Sequence, residues 1–200
     1  PRVMTDTDLS FLIASRICHD LINPIGAIHN GLELMTLSQS TAQGIEFDLV
    51  QASANDARAR VEFFRLAFGS QKHGVLLQSD ALKKLCAPLF TQPRYKVNWS
   101  LPAALDRTEA QRLVLALLCF EKQLPQGGHI WISPTHLRAV PVAPRAIVEQ
   151  WGYVSGPHAG KSPAASDIQF VLLQRLTQAA GLRPELRLNE DSFELSFSRV

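Results

Sequence analysis

The sequence predicts an α+β protein: an N-terminal helical hairpin followed by a small α/β sandwich. Three observations carry this. Apolar residues up to Phe68 recur at helical spacing in two long blocks. Beyond Gly69-Ser70 the pattern breaks into short alternating runs interleaved with shorter helical ones. Polar and Gly/Pro-rich turn signals separate those later pieces. Residues 1–72 are assigned to the hairpin and 76–200 to the sandwich.

The first helix is expected to begin near Thr7 to Ser10, where Asp8 complements the positive helix end, and to run to about Met35. Its main apolar face is Leu9, Ile13, Ile17, Leu21, Ile28, Leu32 and Met35, with Ala14 and Ile25 flanking. Thr36 to Gly44 is polar and small, enough to reverse the chain. The second helix runs from Gln43 or Ile45 to Phe68 through Leu49, Ala52, Ala57, Val61 and Phe64, and Gly69-Ser70 stops it. A lone hairpin of this kind leaves broad apolar arcs wet. Either a second copy covers them, as a four-helix bundle about a two-fold axis, or the rest of the chain does. The second half carries a core of its own, so a homodimer is predicted.

In that half Ser79 caps a helix over Asp80 to Leu89, and Tyr95 to Leu101 alternates as a strand. Thr108 with Gln111 reads as a capping box for an apolar helix through Leu124, ended by Pro125-Gln126-Gly127-Gly128. His129 to Ser133 and Arg138 to Val142 read as strands, and Arg145 to Trp151 as a helix. Gly156 to Ser166 is a loop, and Asp167 to Ala180 a helix closed by Gly181. Leu186 to Leu188 and Phe193 to Phe197 form a closing hairpin. The expected layout is helices on one face of a largely antiparallel sheet.

Composition narrows the function classes. Hydrophobic residues make up 46% of the chain and the formal charge is +2, so the chain holds real cores and lacks the basic stripe of a nucleic-acid binder. Arg58, Arg60 and Arg65 are the nearest thing to a basic cluster. Cys18, Cys86 and Cys119 are too few and too far apart for a disulfide framework or a Cys-x-x-Cys metal site. The histidines show no metal-ligand spacing: His129 and His136 flank a strand, and His29, His73 and His158 read as surface or loop residues. No signal peptide pattern follows Pro1, and the longest apolar run, Leu113 to Phe120, is too short to span a bilayer. No membrane association is expected, and a cytoplasmic location is.

The richest segment is Ser15-Arg16-Ile17-Cys18-His19-Asp20-Leu21-Ile22-Asn23-Pro24. At about 100° per residue, His19 points away from the apolar face, with Ser15, Arg16, Asn23, Gly26 and Asn30 on its side and Asp20 next round the helix. Pro24 has no N–H for the carbonyl of Asp20, and an interior proline disfavours a helix by about 3 kcal/mol. It predicts a kink one turn beyond the histidine. On the residues alone two readings stand: an ordinary surface histidine beside a tolerated proline, or a nucleophile or proton carrier with a pKa suited to the task. In the second, His19 attacks phosphorus, Asp20 orients the ring, and Arg16 and Asn23 bond phosphoryl oxygens or a partner. Ser15 and Gly26 leave room for that partner to approach.

At these residues the chain resembles the alphaproteobacterial histidine phosphotransferases of the ChpT family. The resemblance rests on Arg16 to Pro24 followed by Ala27-Ile28-His29-Asn30-Gly31-Leu32-Glu33-Leu34, and the His-Asp-x-x-x-Pro arrangement also marks the phosphorylated helix of sensor histidine kinases. It implies His19 as phosphoacceptor with Asp20 as its acidic neighbour. It also implies a homodimer whose second domain keeps the fold of a kinase ATPase domain without its activity. Leu113 to Lys122, on the helix that carries the asparagine-rich magnesium motif in a working kinase, contains no asparagine. The Asp-x-Gly-x-Gly motif is missing after His129 to Ser133, and Gly156 and Gly160 lack the Gly-x-Gly pattern. No cofactor of its own is implied; Mg2+ is expected on the partner. Implied partners are the receiver domain of a hybrid histidine kinase and those of response regulators, in cell-cycle or motility programmes. A divergent kinase core using ATP and a non-catalytic dimeric receiver-binding adaptor are the rival readings.

Overall fold

In the computed structural model, which describes residues 4–37, 44–70, 73–91, 93–143, 147–155 and 162–200, the chain opens with helix α1, Asp6–Leu37. Thr5 caps it. The Asp8 amide donates to Thr5 Oγ1 at 3.1 Å, and the Thr5 amide donates to Asp8 Oδ2 at 3.0 Å. That reciprocal pair starts the helix slightly before the expected window. The helix continues through Pro24 to Leu37. Helix α2, Ile45–Ala67, returns antiparallel, with Gly31 against Val50 at one end and His19 and Asp20 opposite Asp56 and Arg60 at the other. Residues 38–43 of the expected reversal lie outside the described residues.

Burial along α1 recurs at Ile17, Leu21, Pro24, Ile28, Gly31 and Met35, a three-and-four spacing that seats one seam on its neighbours. Gly31 has no side chain in this seam, and there the helices come close. A Cβ on Gly31 would collide with Val50 Cγ2. Leu32, expected on the buried face, is instead exposed, as are Ile22 and Ile25. The apolar arc is wider than one partner helix covers.

The second half begins with strand β1, Leu76–Gln78, and helix α3, Ser79–Cys86, then β2, Tyr95–Trp99, and β3, Ala104–Asp106. Helix α4, Arg107–Gln123, leads to β4, Gly128–Ile132, and β5, His136–Pro141. After a 3-10 turn at Glu149–Trp151 come the short helix α5, Gly152–Ser155, a second 3-10 turn at Ala165–Asp167, and helix α6, Ile168–Ala179. The hairpin β6, Leu182–Leu188, and β7, Phe193–Arg199, ends the chain. The main sheet has the order β2-β4-β5-β7-β6, parallel between β2 and β4 and antiparallel elsewhere. This is the α+β class expected.

Several boundaries differ for local reasons. The capping box of α4 is Asp106 with Glu109, two residues before the expected Thr108 and Gln111. The Asp106 carboxylate is the stronger acceptor, and takes both the Thr108 amide at 2.9 Å and its hydroxyl at 2.6 Å. The closing hairpin starts at Leu182, directly after Gly181, whose φ of +66° turns the chain out of α6. β1 and β3 pair with each other and are too short for alternation to reveal. Of the helix expected over Arg145 to Trp151, residues 145–146 lie outside the described residues, and the remainder is a 3-10 turn at its end. Of the expected loop from Gly156, residues 156–161, which include His158, are likewise outside.

One continuous core joins the halves. Phe63, Phe64, Leu66 and Ala67 at the end of α2 are buried with α4 and the inner sheet face. Phe63 meets Phe90 at 6.4 Å between ring centroids, and Phe90 meets Tyr95 at 5.4 Å. Gln111 of α4 donates to the carbonyls of Ala67 and Gly69 at 3.1 and 2.8 Å, satisfying acceptors left open at the end of α2. Buried on every side, α4 is apolar all round from Leu113 to Phe120.

The two glycines of α1 separate cleanly by this packing. Gly31→Ala is expected to destabilise the fold by about 1–3 kcal/mol through overpacking. Gly26→Ala, where a Cβ meets nothing within 4 Å, is expected to be neutral or slightly stabilising. Urea titration of both variants decides it; equal effects would contradict the close approach of α1 to α2.

Candidate functional site

His19 stands on the middle of α1 with its side chain 80% exposed. Its Nδ1 lies 3.1 Å from Asp20 Oδ1, while Asp20 Oδ2 lies 2.8 Å from Arg16 Nε, one turn back along the helix. Asp20 and Arg16 are mostly covered, at 13% and 16%. The guanidinium of Arg16 goes further: its Nη1 donates to the backbone carbonyl of Ser166 at 3.1 Å. Arg16, expected among the groups beside His19 that meet a phosphoryl group or a partner, is therefore engaged with Asp20 and the second half. With Asp20 accepting from Nδ1–H, Nε2 of the imidazole keeps its lone pair.

A cleft of about 470 Å3 opens beside the imidazole. His19, Asp20, Asn23, Pro24 and Ala27 line it from α1, and Ala52, Ser53, Asp56 and Arg60 from α2. Arg60 Nε donates to Asp56 Oδ2 at 2.9 Å. Pro24 is buried in the wall, and the amide it lacks leaves the Asp20 carbonyl without its usual helical donor. Of the remaining expected residues, Ser15, Asn23 and Asn30 are exposed, and Gly26 is half-buried with open space above it. The α2 wall is absent from the site expected from sequence, where that helix is taken through its apolar positions and Arg60 only as one of three arginines, not as a neighbour of His19. Ser53, Asp56 and Arg60 form a polar stripe at three- and four-residue spacing that was there to be found.

A second cleft of about 350 Å3 lies where α1 meets the second half, lined by Arg16, Arg94, Leu118, Glu121, Lys122, Pro125 and Gln169. Burial raises the Glu121 carboxyl above its ordinary range, and the cations Arg16 and Arg94 only partly oppose this. Beside it Lys122 Nζ pairs with Asp167 Oδ1 at 2.7 Å. Cys86 and Cys119 are buried and their thiols are pushed up by desolvation, Cys86 to about 12, while Cys18 is exposed. Among the described residues no group of three or more His, Cys, Asp or Glu is placed to hold a metal ion, and no helix is long and apolar enough to cross a membrane.

An open imidazole braced by a carboxylate on a hairpin joined to a mixed sheet is an arrangement that can accept a phosphoryl group on histidine. The family model described as histidine phosphotransferase C-terminal domain matches residues 79–192, and the chain belongs to that family. It is 27% identical to protein phosphotransferase ChpT of Brucella abortus (strain 2308), over 98% of each chain. A solved structure described as a bacterial phosphotransferase superposes with a TM-score of 0.81 at 26% identity, over 99% of each chain. The chain is thus a histidine phosphotransferase, as the motif around His19 implied. The family match falls on the second half, away from the motif around His19.

Because folding raises the Glu121 pKa, the folded chain holds a proton there that the unfolded chain has lost, so stability declines as pH rises through that window. Glu121→Gln is expected to be more stable than the parent at pH 7 and to lose this decline. Urea midpoints between pH 4 and pH 8 check it; a less stable variant with an unchanged pH profile would contradict the assignment.

Proposed function

We propose that His19 is the phosphoacceptor of a relay between receiver domains. The observation that carries this is the exposed imidazole whose Nδ1 is held by Asp20 beside an open cleft. Nε2 attacks the phosphorus of a receiver acyl phosphate in line; the N–P bond forms as the P–O bond to the receiver aspartate breaks, and its electron pair leaves with that carboxylate. The ring gains positive charge, which Asp20 offsets through the Nδ1–H bond. Attack by the aspartate of the next receiver reverses the sequence. Mg2+ on the receiver supplies charge neutralisation for the acyl oxygen. Asn23, Ser15, Gly26 and Asn30 form the surface around the imidazole on which the receiver lies.

The upstream donor is the receiver domain of a hybrid histidine kinase and the acceptors are response regulators. Residues 1–72 carry the phosphoryl chemistry and dimerisation, and 76–200 form the scaffold. The apolar side chains left outside the α1–α2 seam, Ile22, Ile25, Leu32, Ile45 and Leu49, support pairing of two hairpins into a four-helix bundle. The relay operates in the cytoplasm, where receiver domains and their acceptors meet.

Incubation with a phosphorylated receiver domain is expected to place acid-labile, base-stable label on the protein, and ATP alone none. Label from ATP would favour a kinase core. His19→Gln is expected to abolish labelling, and a fully active pathway with that variant would favour an adaptor. Asp20→Asn is expected to slow transfer roughly a hundredfold or more, as loss of the group orienting a catalytic imidazole does elsewhere. Full-rate transfer would remove the role given to Asp20. Sedimentation at micromolar concentration is expected to show a dimer of the 22.1 kDa chain, and a monomeric mass would contradict the bundle.

A further inference from the structure

The Ser166 carbonyl has two acceptor positions, and both are used. Gln169 Nε2, from the first turn of α6, donates at 3.0 Å, and Arg16 Nη1, from α1, donates at 3.1 Å. The 3-10 turn that carries this carbonyl is itself pinned, because Asp167 next to it pairs with Lys122 of α4 at 2.7 Å. A continuous path therefore runs from α4 through the neighbouring Asp167 and Ser166 to Arg16 by a hydrogen bond, from Arg16 to Asp20 by an ion pair, and from Asp20 to the imidazole of His19. A second tether lies nearer the start of α1. Arg175 of α6 donates to Asp6 Oδ1 at 2.7 Å and to the Met4 carbonyl at 3.2 Å. The turns of α1 that lead to His19 are thus held against the second half at two places, the turn Ala165–Asp167 and α6.

We propose that Arg16 is a positioning residue for His19, and that the turn Ala165–Asp167 of the second half sets its position. Resting on the assignment of His19 as phosphoacceptor, this gives the second half a part in the chemistry without any group at the reacting atoms. Asp20 has free rotation about its side-chain bonds unless something claims its second oxygen. Arg16 Nε claims it, and Ser166 keeps Arg16 from swinging out to solvent. Asp20 Oδ1 is then left aimed at Nδ1 of His19, which selects the tautomer with the proton on Nδ1 and the lone pair on Nε2. The other cations of the region serve elsewhere: Arg60 binds Asp56, Arg94 donates to the Pro125 carbonyl, and Lys122 holds Asp167.

The test uses the full-length protein, with the His19 tautomer read by nitrogen-15 NMR of the imidazole and phosphoryl uptake timed from a phosphorylated receiver domain. The parent is expected to show the Nδ1–H tautomer and to take up label. Arg16→Gln is expected to shift His19 toward the Nε2–H tautomer and to slow uptake by roughly ten- to a hundredfold, the scale set by misplacing a reacting group. The receiver concentration at half-maximal rate is expected to stay unchanged. Arg16→Lys, which keeps the charge near Asp20 without the fork that reaches Ser166, is expected to restore only part of the rate. Lys122→Met, remote from the imidazole, is expected to move the same two readouts in the same direction by less, and it carries the test if Arg16→Gln does not fold. A labelled parent together with variants of parental tautomer and rate would overturn the positioning role alone. A parent that takes up no label would instead overturn the phosphoacceptor assignment.

Discussion

The carboxylate of Asp20 joins two otherwise separate demands on this protein. One oxygen faces the exposed imidazole of the proposed phosphoacceptor, and the other faces a guanidinium held by the second half of the chain. A carboxylate in water would average over its rotamers. Here it is mostly covered, one oxygen is claimed by Arg16, and the other is aimed at Nδ1. The exposed histidine thus gains an ordered partner without being buried, which reconciles access with preorganisation.

That arrangement needs the hairpin and the sheet domain to keep a constant relation, and the shared core provides one. The aromatic end of α2 is buried among side chains of the second half, and Gln111 closes the end of the same helix from across the boundary. Farther along α1, beyond the reach of the second half, the hairpin relies on its own seam. There Gly31 lets the helices come close while apolar side chains face outward. The hairpin is thus anchored at one end and carries an apolar, exposed surface toward the other.

Much of this architecture was visible in the order of residues. Both long helices, the apolar α4, the strands of the main sheet and the glycine that ends α6 follow from periodicity and turn chemistry, all properties of neighbours along the chain. The misplaced cap of α4 shows the limit of that logic. Thr108 and Gln111 satisfy the pattern, yet Asp106 offers the better acceptor and Gln111 is drawn to the far end of another helix. The short pair β1 and β3 exists because each strand completes the other.

The site divides the same way. The sequence alone determined that an imidazole would sit on the polar side of a helix, next to an acid and one turn before a proline, because a helical period places side chains by their numbers. The class of chemistry entered only through the family resemblance of that motif, because the residues by themselves left an ordinary surface histidine equally open. Only the tertiary structure decided that Arg16 turns inward to Ser166, that Ser53, Asp56 and Arg60 supply the opposite wall of the cleft, and that Glu121 lies half-buried in the cleft it shares with Arg16. Those contacts join residues far apart in the chain, whose distances are set by how two surfaces pack and not by any local period.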